Sequence, residues 1–414
     1  MKNQNRRIPK IRFINFNDKW KYKTLDEISN AIEYGINAPA KNFDGIHKYL
    51  RITDIDDTSR LFLTAKLSSP DVDFTEDNYE NYKLQKNDLL FARTGASVGK
   101  TYLYRESDGE VYYAGFLIRA RLHDSYDGNF VFQQTFTDKY KQFIDITSQR
   151  SGQPGVNGKE YGDWKIGITS YSEQSAIGSF FRTLDDLLSN YKENLANYQS
   201  LKATMLSKMF PKAGQTVPEI RLEGFEGKWE KYHLGDIFEQ ISNYIEPSVE
   251  NELWSLTVEK GLTPKTERYK RDFLVKKNDK FKKVDLNEFV YNPMNLTLGA
   301  LDLNNNDVTI SVSGYYVVMK NIDVEKFNND FLKILLKTTY AIYQYKQFAT
   351  GTLIEKQRVQ FPTFSEIPFY LPTIAEQQAI GSYFSNLDNL INSQQEKISQ
   401  LETLKKKLLQ DMFI

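Results

Sequence analysis

Residues 89–104, LLFARTGASVGKTYLY, hold the arrangement most suggestive of chemistry: an apolar strand, two glycines, then Lys100 and Thr101. In a phosphate-binding loop, backbone N–H groups on a glycine-rich bend cradle the phosphates and a lysine reaches the terminal ones. The spacing speaks against one here. Gly95 and Gly99 enclose three residues where that loop needs four. The loop must also open a helix, whose positive end holds the anion. Thr101 instead begins TYLYRESDGEVYYAGFLIRARL, whose alternation and Tyr, Val and Ile content predict strand.

Other catalytic groupings are thin. The absence of cysteine removes disulfide frameworks, thiolate metal sites and cysteine nucleophiles together. His47, His123 and His233 stand singly, as ordinary surface or core residues do. Asn292-Pro293-Met294-Asn295 has the outline of an adenine methyltransferase motif, but Met294 and Asn295 replace the residues that matter. No glycine-rich loop for S-adenosylmethionine precedes it. A nuclease centre would have to join Asp71 to Asp163 and Lys165, a separation far too long. We expect no catalytic residue and no metal site.

The 414 residues allow two or three domains, and no stretch of 18 apolar residues is present, so no membrane span is expected. The basic start MKNQNRRIPKIRF lacks the apolar run of a secretory signal, which fits a soluble, cytoplasmic protein. Net charge is zero, with 54 basic and 54 acidic residues, but the distribution is uneven. Residues 2–23 carry eight Lys or Arg against Asp18, and residues 265–283 carry nine against three acids. Local basic stretches on a neutral chain suit a polyanion site on one face.

The chain is written twice. PKIRFINFNDKWKYKTLDEI (9–28) returns as PEIRLEGFEGKWEKYHLGDI (218–237), 209 positions later. EQSAIGSFFRTLDDLLSNYKENLANYQSLKATMLSKMF (173–210) returns as EQQAIGSYFSNLDNLINSQQEKISQLETLKKKLLQDMF (376–413), 203 positions later without a gap. Between these markers the halves differ almost completely, so two modules share a scaffold and differ in what it presents.

The repeated 38-residue segment is helical by pattern. Ile177, Phe181, Leu184, Leu188 and Leu195 follow alternating steps of four and three, and Ile380, Phe384, Leu387, Ile391 and Ile398 repeat them. Such a sustained heptad seam predicts a coiled coil, interrupted at one phase by Lys202 and Lys405. Each helix would span about 57 Å. The expected layout is a globular domain over 1–171, a long helix over 172–212, a linker and second domain over 213–372, and a second helix over 373–414. DLLFAR, VYYAGFLIRARL and ISVSGYYVVMK (310–320) read as strands, and NDFLKILLKTTYAIYQYKQF (329–348) as helix, which makes the domains α/β or α+β.

Aligned by the repeat, FARTGASVGKTYL (91–103) faces YNPMNLTLGALDL (291–303). Gly99 faces Gly299, while Lys100 faces Ala300 and Gly95 faces Asn295. A structural turn needing one glycine, with reading residues free to vary around it, fits this better than a phosphate loop. Here the chain resembles the specificity subunit of type I restriction–modification systems. The resemblance rests on IRF..F...W....L.EI before each module, RTGASVGK and SGQPGVNGKEYGDWKI in the first, and LPTIAEQQAIGSYFSNLD leading into the second helix. The first domain ends KIGITSYSEQ, without the matching proline.

The resemblance implies two α/β (α+β) target-recognition domains, separated by two long helices in an antiparallel coiled coil with pseudo-two-fold symmetry. Each domain would read half of a bipartite site on double-stranded DNA. The implied partners are two modification (methyltransferase) subunits, using S-adenosylmethionine to methylate adenine, and restriction (translocase/endonuclease) subunits using ATP and Mg; no cofactor would bind this chain. A coiled-coil ruler would set half-sites about 34 Å apart, one helical turn. The competing reading is a stand-alone coiled-coil DNA-binding regulator without enzyme partners.

Arg pairs with guanine and Asn or Gln with adenine in the major groove, while phosphate contacts position. In the first module the candidate DNA-binding residues are Arg93, Thr94, Ser97, Lys100, Gln149, Arg150 and Gln153. In the second they are Asn292, Asn295, Thr297, Lys356, Gln357 and Arg358. Lys270, Arg271, Lys276 and Lys277 suit phosphate.

Overall fold

The arginine of the Ile-Arg pair that opens both copies of the repeat holds a glutamate of a long helix in each. Arg12 donates to both carboxylate oxygens of Glu173 at 2.6 and 2.7 Å, and Arg221 grips Glu376 likewise at 2.9 and 2.5 Å. Both carboxylates are buried in the first turn of a long helix. The next residue is equally employed. Gln174 accepts from Asp127 N and donates to Thr169 O; Gln377 accepts from Asn328 N and donates to Pro372 O. Gly178 and Gly381 complete the pattern, because a Cβ there would lie 2.3 Å from Asp127 Oδ1 and 3.1 Å from Asn328 Oδ1. The recurring EQ..IG stretch thus ties each helix start to its domain.

The structure, a computed structural model, describes residues 8–75, 78–246, 248, 251–265, 281–351 and 357–414. The chain divides into two compact units, Met1–Asn194 with Gln394–Ile414, and Leu195–Ser393. The two long helices, Tyr171–Lys208 and Ile374–Met412, each contribute to both units.

In the first unit an antiparallel four-stranded sheet runs in the order Ser29–Tyr34, Leu117–Leu122, Asp88–Ala92, Thr101–Leu103. Leu89, Phe91, Ile118 and Ala120 turn one face of it toward helix Gly128–Gln134 and the long helices, around Trp20. Its other face, with Leu90, Ala92, Tyr102 and Leu117, packs on a smaller cluster with Leu50, Val111 and Tyr113. That alternation is the period-2 signature of a strand buried on both sides. Strand Lys21–Thr24 pairs with Lys165–Ile168, tying the start of the domain to its exit into the helix.

The second unit repeats this plan. Its four-stranded sheet runs Phe238–Ile241, Val317–Asn321, Glu288–Tyr291, Leu301–Leu303, and Glu230–His233 pairs with Pro368–Leu371. The stretch 329–348, which reads as one helix by periodicity, is two: Asn329–Leu335 and Thr339–Phe348. Thr338 breaks it, its hydroxyl accepting from Ala341 N as an N-cap. Thr137 caps the matching helix Asp138–Thr147 in the first unit.

The helix ends are shared out in the same antiparallel sense inside each unit. In the first, Phe413 packs on Phe181 and Trp20, and Lys192 pairs with Glu402 at 2.6 Å. In the second, Phe210 packs on Phe384 and Phe331. Ile177, Phe181, Leu184 and Leu188 are buried, the first three inside the core of the first unit, and Ile380, Phe384 and Leu387 are buried in that of the second. Ile391 is buried as well, whereas Leu195 and Ile398 are half-buried. The seam therefore serves domain cores at its ends as well as helix–helix contact.

Candidate nucleic-acid interface

Strand Asp88–Ala92 turns through Gly95–Ser97 and returns as Thr101–Leu103, with Leu89 opposite Leu103 and Phe91 opposite Thr101. The glycine stretch is a tight connection between antiparallel strands, and no helix follows it. Gly99 has φ +82°, and a Cβ there would lie 2.8 Å from Ile144 Cγ1. Its amide donates to Tyr161 Oη at 3.1 Å, and its carbonyl accepts from Tyr140 Oη at 3.0 Å. Burial holds both phenols above their usual range, so they remain donors. Gly299 occupies the same turn of the second unit with φ +95°.

The turn is half of an edge. Thr94 bridges to Gly155, Gly95 N donates to Pro154 O at 3.0 Å, and Val156 N donates to Arg93 O at 2.9 Å. Residues 93–97 and 148–156, far apart in sequence, thus form one rim. In the second unit Val359 N donates to Pro293 O at 3.0 Å, and Thr350 bridges to Arg358, which builds the same rim from different side chains.

Within the first rim, Gln149 and Gln153 are exposed, and Thr94 and Ser97 are half-buried. Gln153 lies over Gly95, where a Cβ would come within 2.8 Å of its Nε2. The Arg93 guanidinium carbon lies 5.2 and 5.6 Å from the ring centroids of Tyr34 and Phe116.

One candidate of this rim requires correction. Lys100 is buried, with Nζ on the Ile55 carbonyl at 2.9 Å and Asp57 at 2.5 Å. It pins the 52–57 loop and offers nothing to DNA. Arg150 is exposed, but both oxygens of Glu160 take its Nη2 at 2.5 and 2.6 Å, and Nη1 is spent on the Thr147 and Gln149 carbonyls. An exposed pair of this kind is worth about 1 kcal/mol or less, so Arg150 stays a candidate for DNA contact.

In the second rim Asn295 and Arg358 are exposed and Gln357 is half-buried. Asn292 accepts from Met294 N at 3.0 Å, so the Asn-Pro-Met-Asn stretch is a self-capped turn. Thr297 is buried and cannot reach a base, a further correction. Lys270, Arg271, Lys276, Lys277 and Lys356 lie outside the described residues.

Tyr34 and Phe116 escape a reading of the sequence. Phe116 sits in an Ala-Gly-Phe turn opposite Ser-Gly-Tyr-Tyr of the second copy, and both Phe116 and Tyr315 are well exposed. An exposed aromatic at the same turn of two otherwise different domains was the available signal. Among the described residues no group of three or more His, Cys, Asp or Glu could hold a metal, and no helix is long and apolar enough to cross a membrane.

Two copies of one sheet-and-helix module, each presenting a rim whose backbone is shared and whose side chains differ, define a two-module recognition protein. Its affiliation follows from comparison. The type I restriction modification DNA specificity domain matches residues 17–198 and again 226–403, and the chain belongs to that family. It is similar to the type I restriction enzyme MjaVIII specificity subunit of Methanocaldococcus jannaschii, 21% identical over 348 residues, covering 79% of this chain and 78% of that one. Its fold is similar to that of the type I restriction–modification S subunit of M. genitalium. That match has a TM-score of 0.64 and 16% identity over 98% of this chain and 99% of the other.

Proposed function

We propose that the chain reads a bipartite site on duplex DNA, one half per rim, and directs methylation of adenine by two modification subunits without catalysing any step itself. S-adenosylmethionine would serve the modification subunits, and ATP and Mg the restriction subunits that join them; this chain would hold none of these. The observation that carries the reading is the rim itself. Each module joins the glycine turn to a distant loop by the same backbone bond, Val156 N to Arg93 O in one and Val359 N to Pro293 O in the other, yet the side chains at that bond differ. A fixed frame with interchangeable polar side chains is what base-edge readout requires, since phosphate contacts alone carry no sequence.

The test is to express the chain with its modification subunit and map methylated adenines across a genome. Methylation confined to one two-part sequence supports the reading. DNA binding with no copurifying methyltransferase would favour a stand-alone regulator instead.

A further inference from the structure

The edge of the first sheet holds one guanidinium in an unusual state. Arg93 follows strand Asp88–Ala92, Phe116 precedes strand Leu117–Leu122, and Tyr34 ends strand Ser29–Tyr34, so three neighbouring strands meet at one end. The backbone of Arg93 is fixed on both sides, its N–H donating to Phe116 O at 3.1 Å and its carbonyl accepting from Val156 N at 2.9 Å. Tyr34 is fixed as well, its hydroxyl accepting from Gly158 N at 3.0 Å. The two ring centroids lie 5.2 and 5.6 Å from the guanidinium carbon. Among the described residues its N–H groups meet no carboxylate and no carbonyl, in contrast to Lys100 and Arg150 of the same rim.

An arginine so placed has two aromatic rings within cation–π reach and, among the described residues, no side-chain donor spent on a neighbour. Its planar N–H fork is therefore free to bind. A phosphate can also take a guanidinium fork through two oxygens, but it carries no sequence information. The O6 and N7 atoms of guanine offer the fork a pair of acceptors in the major groove that does.

We infer that Arg93 is the residue that selects a guanine in the first half-site, with Tyr34 and Phe116 as its positioning residues. The inference rests on the DNA-reading function proposed above. It also assigns the contact to one half-site only, because the matching positions of the second unit are Ser242, Pro293 and Tyr315, which hold no cation.

The test uses the full chain assembled with its modification subunits, comparing wild type with Arg93→Lys, Arg93→Gln and Phe116→Ala by genome-wide mapping of methylated adenines. Arg93→Lys keeps the charge and loses the planar fork. We expect it to assemble normally and to lose preference at one G·C pair of the first half-site by about tenfold to a hundredfold, with the second half-site unchanged. Phe116 is well exposed, so its removal should leave the fold intact while weakening the same preference. Base selection retained in full by Arg93→Lys would make the residue a phosphate anchor and overturn the inference. So would failure of Arg93→Gln to recruit the modification subunits, which would put a partner carboxylate on the guanidinium. Absence of any two-part methylated sequence with the wild-type chain would instead defeat the underlying function.

Discussion

Lys405 of the second long helix donates to Asp185 of the first at 2.5 Å, and Lys202 of the first pairs with Asp388 of the second. Each lysine and each aspartate lies 203 positions from its counterpart, so the two bridges are one interaction used twice. The lysines that interrupt the heptad seam are thereby matched by acids on the opposite helix. A helix slipped by one heptad would leave both lysines without partners, which makes the pair a device for register.

The two bridges should differ in strength. Lys405 and Asp185 are 15% and 18% exposed, Lys202 and Asp388 30% and 48%. Lys405→Ala should cost about 1–3 kcal/mol and Lys202→Ala under about 1 kcal/mol. Urea denaturation provides the measurement, and the exchange Asp185→Lys with Lys405→Asp should recover much of the loss. Equal costs at the two sites would contradict the burial argument.

Phe413→Ala should open the first unit alone. The ring lies 5.5 Å from Phe130, 5.7 Å from Phe181 and 6.2 Å from Trp20, so its removal should cost about 3–5 kcal/mol. Hydrogen exchange should accelerate in strand Lys165–Ile168 and stay slow in Pro368–Leu371. Phe210→Ala should show the reverse pattern.

Alanine should be tolerated less well at Gly99 than at Gly299. Both have positive φ, which costs an alanine about 1 kcal/mol. At Gly99 the new methyl would also meet Ile144 at 2.8 Å, against 3.5 Å to Ile342 at Gly299. The Gly99 variant should lose about a further 1–3 kcal/mol by thermal denaturation, and less in an Ile144→Ala background, where the two γ carbons in the way are gone. Neither variant should change nucleotide binding, because the turn holds a strand connection.

Asp302 supplies an acid-sensitive joint in the second unit. Burial opposes its ionisation, but Lys337, Lys333 and the amides of Leu262 and Leu303 outweigh that and hold the carboxyl below its usual range. A carboxylate with a depressed folded-state value stabilises fully above its unfolded value, near about 4, and loses that contribution as pH falls through the folded one. Asp302→Asn should therefore cost about 1.5–3 kcal/mol at neutral pH and progressively less in acid. The stabilities of wild type and variant should begin to converge once pH falls below about 4 if this is right, and run parallel throughout if the carboxylate is not ionised.

The long helices and the glycine turn are legible in the sequence because their signals are local and written twice. Heptad spacing needs no knowledge of the rest of the chain, and one glycine kept between diverged copies marks a backbone constraint. Lys100 shows where this stops. A lysine after a glycine reads as exposed, but its partner carbonyl lies 45 residues upstream on a loop with no periodicity. Arg150 likewise meets Glu160 only because the capping box at Asn157 turns that acid back. The Tyr34–Arg93–Phe116 arrangement depends on strand order, which neither alternation nor propensity encodes.

Residues Gln394–Ile414 finish the core of the first unit, although the whole of Leu195–Ser393 is translated before them. Synthesis at about 5–20 residues per second places a delay of roughly 10–40 s between the two parts of that core. During this interval Trp20, Phe130 and Phe181 have no Phe413 to cover them, whereas the residues of the second unit emerge in one uninterrupted run. The domain made first is thus the one completed last, and its open core is the surface that a nascent-chain chaperone would meet.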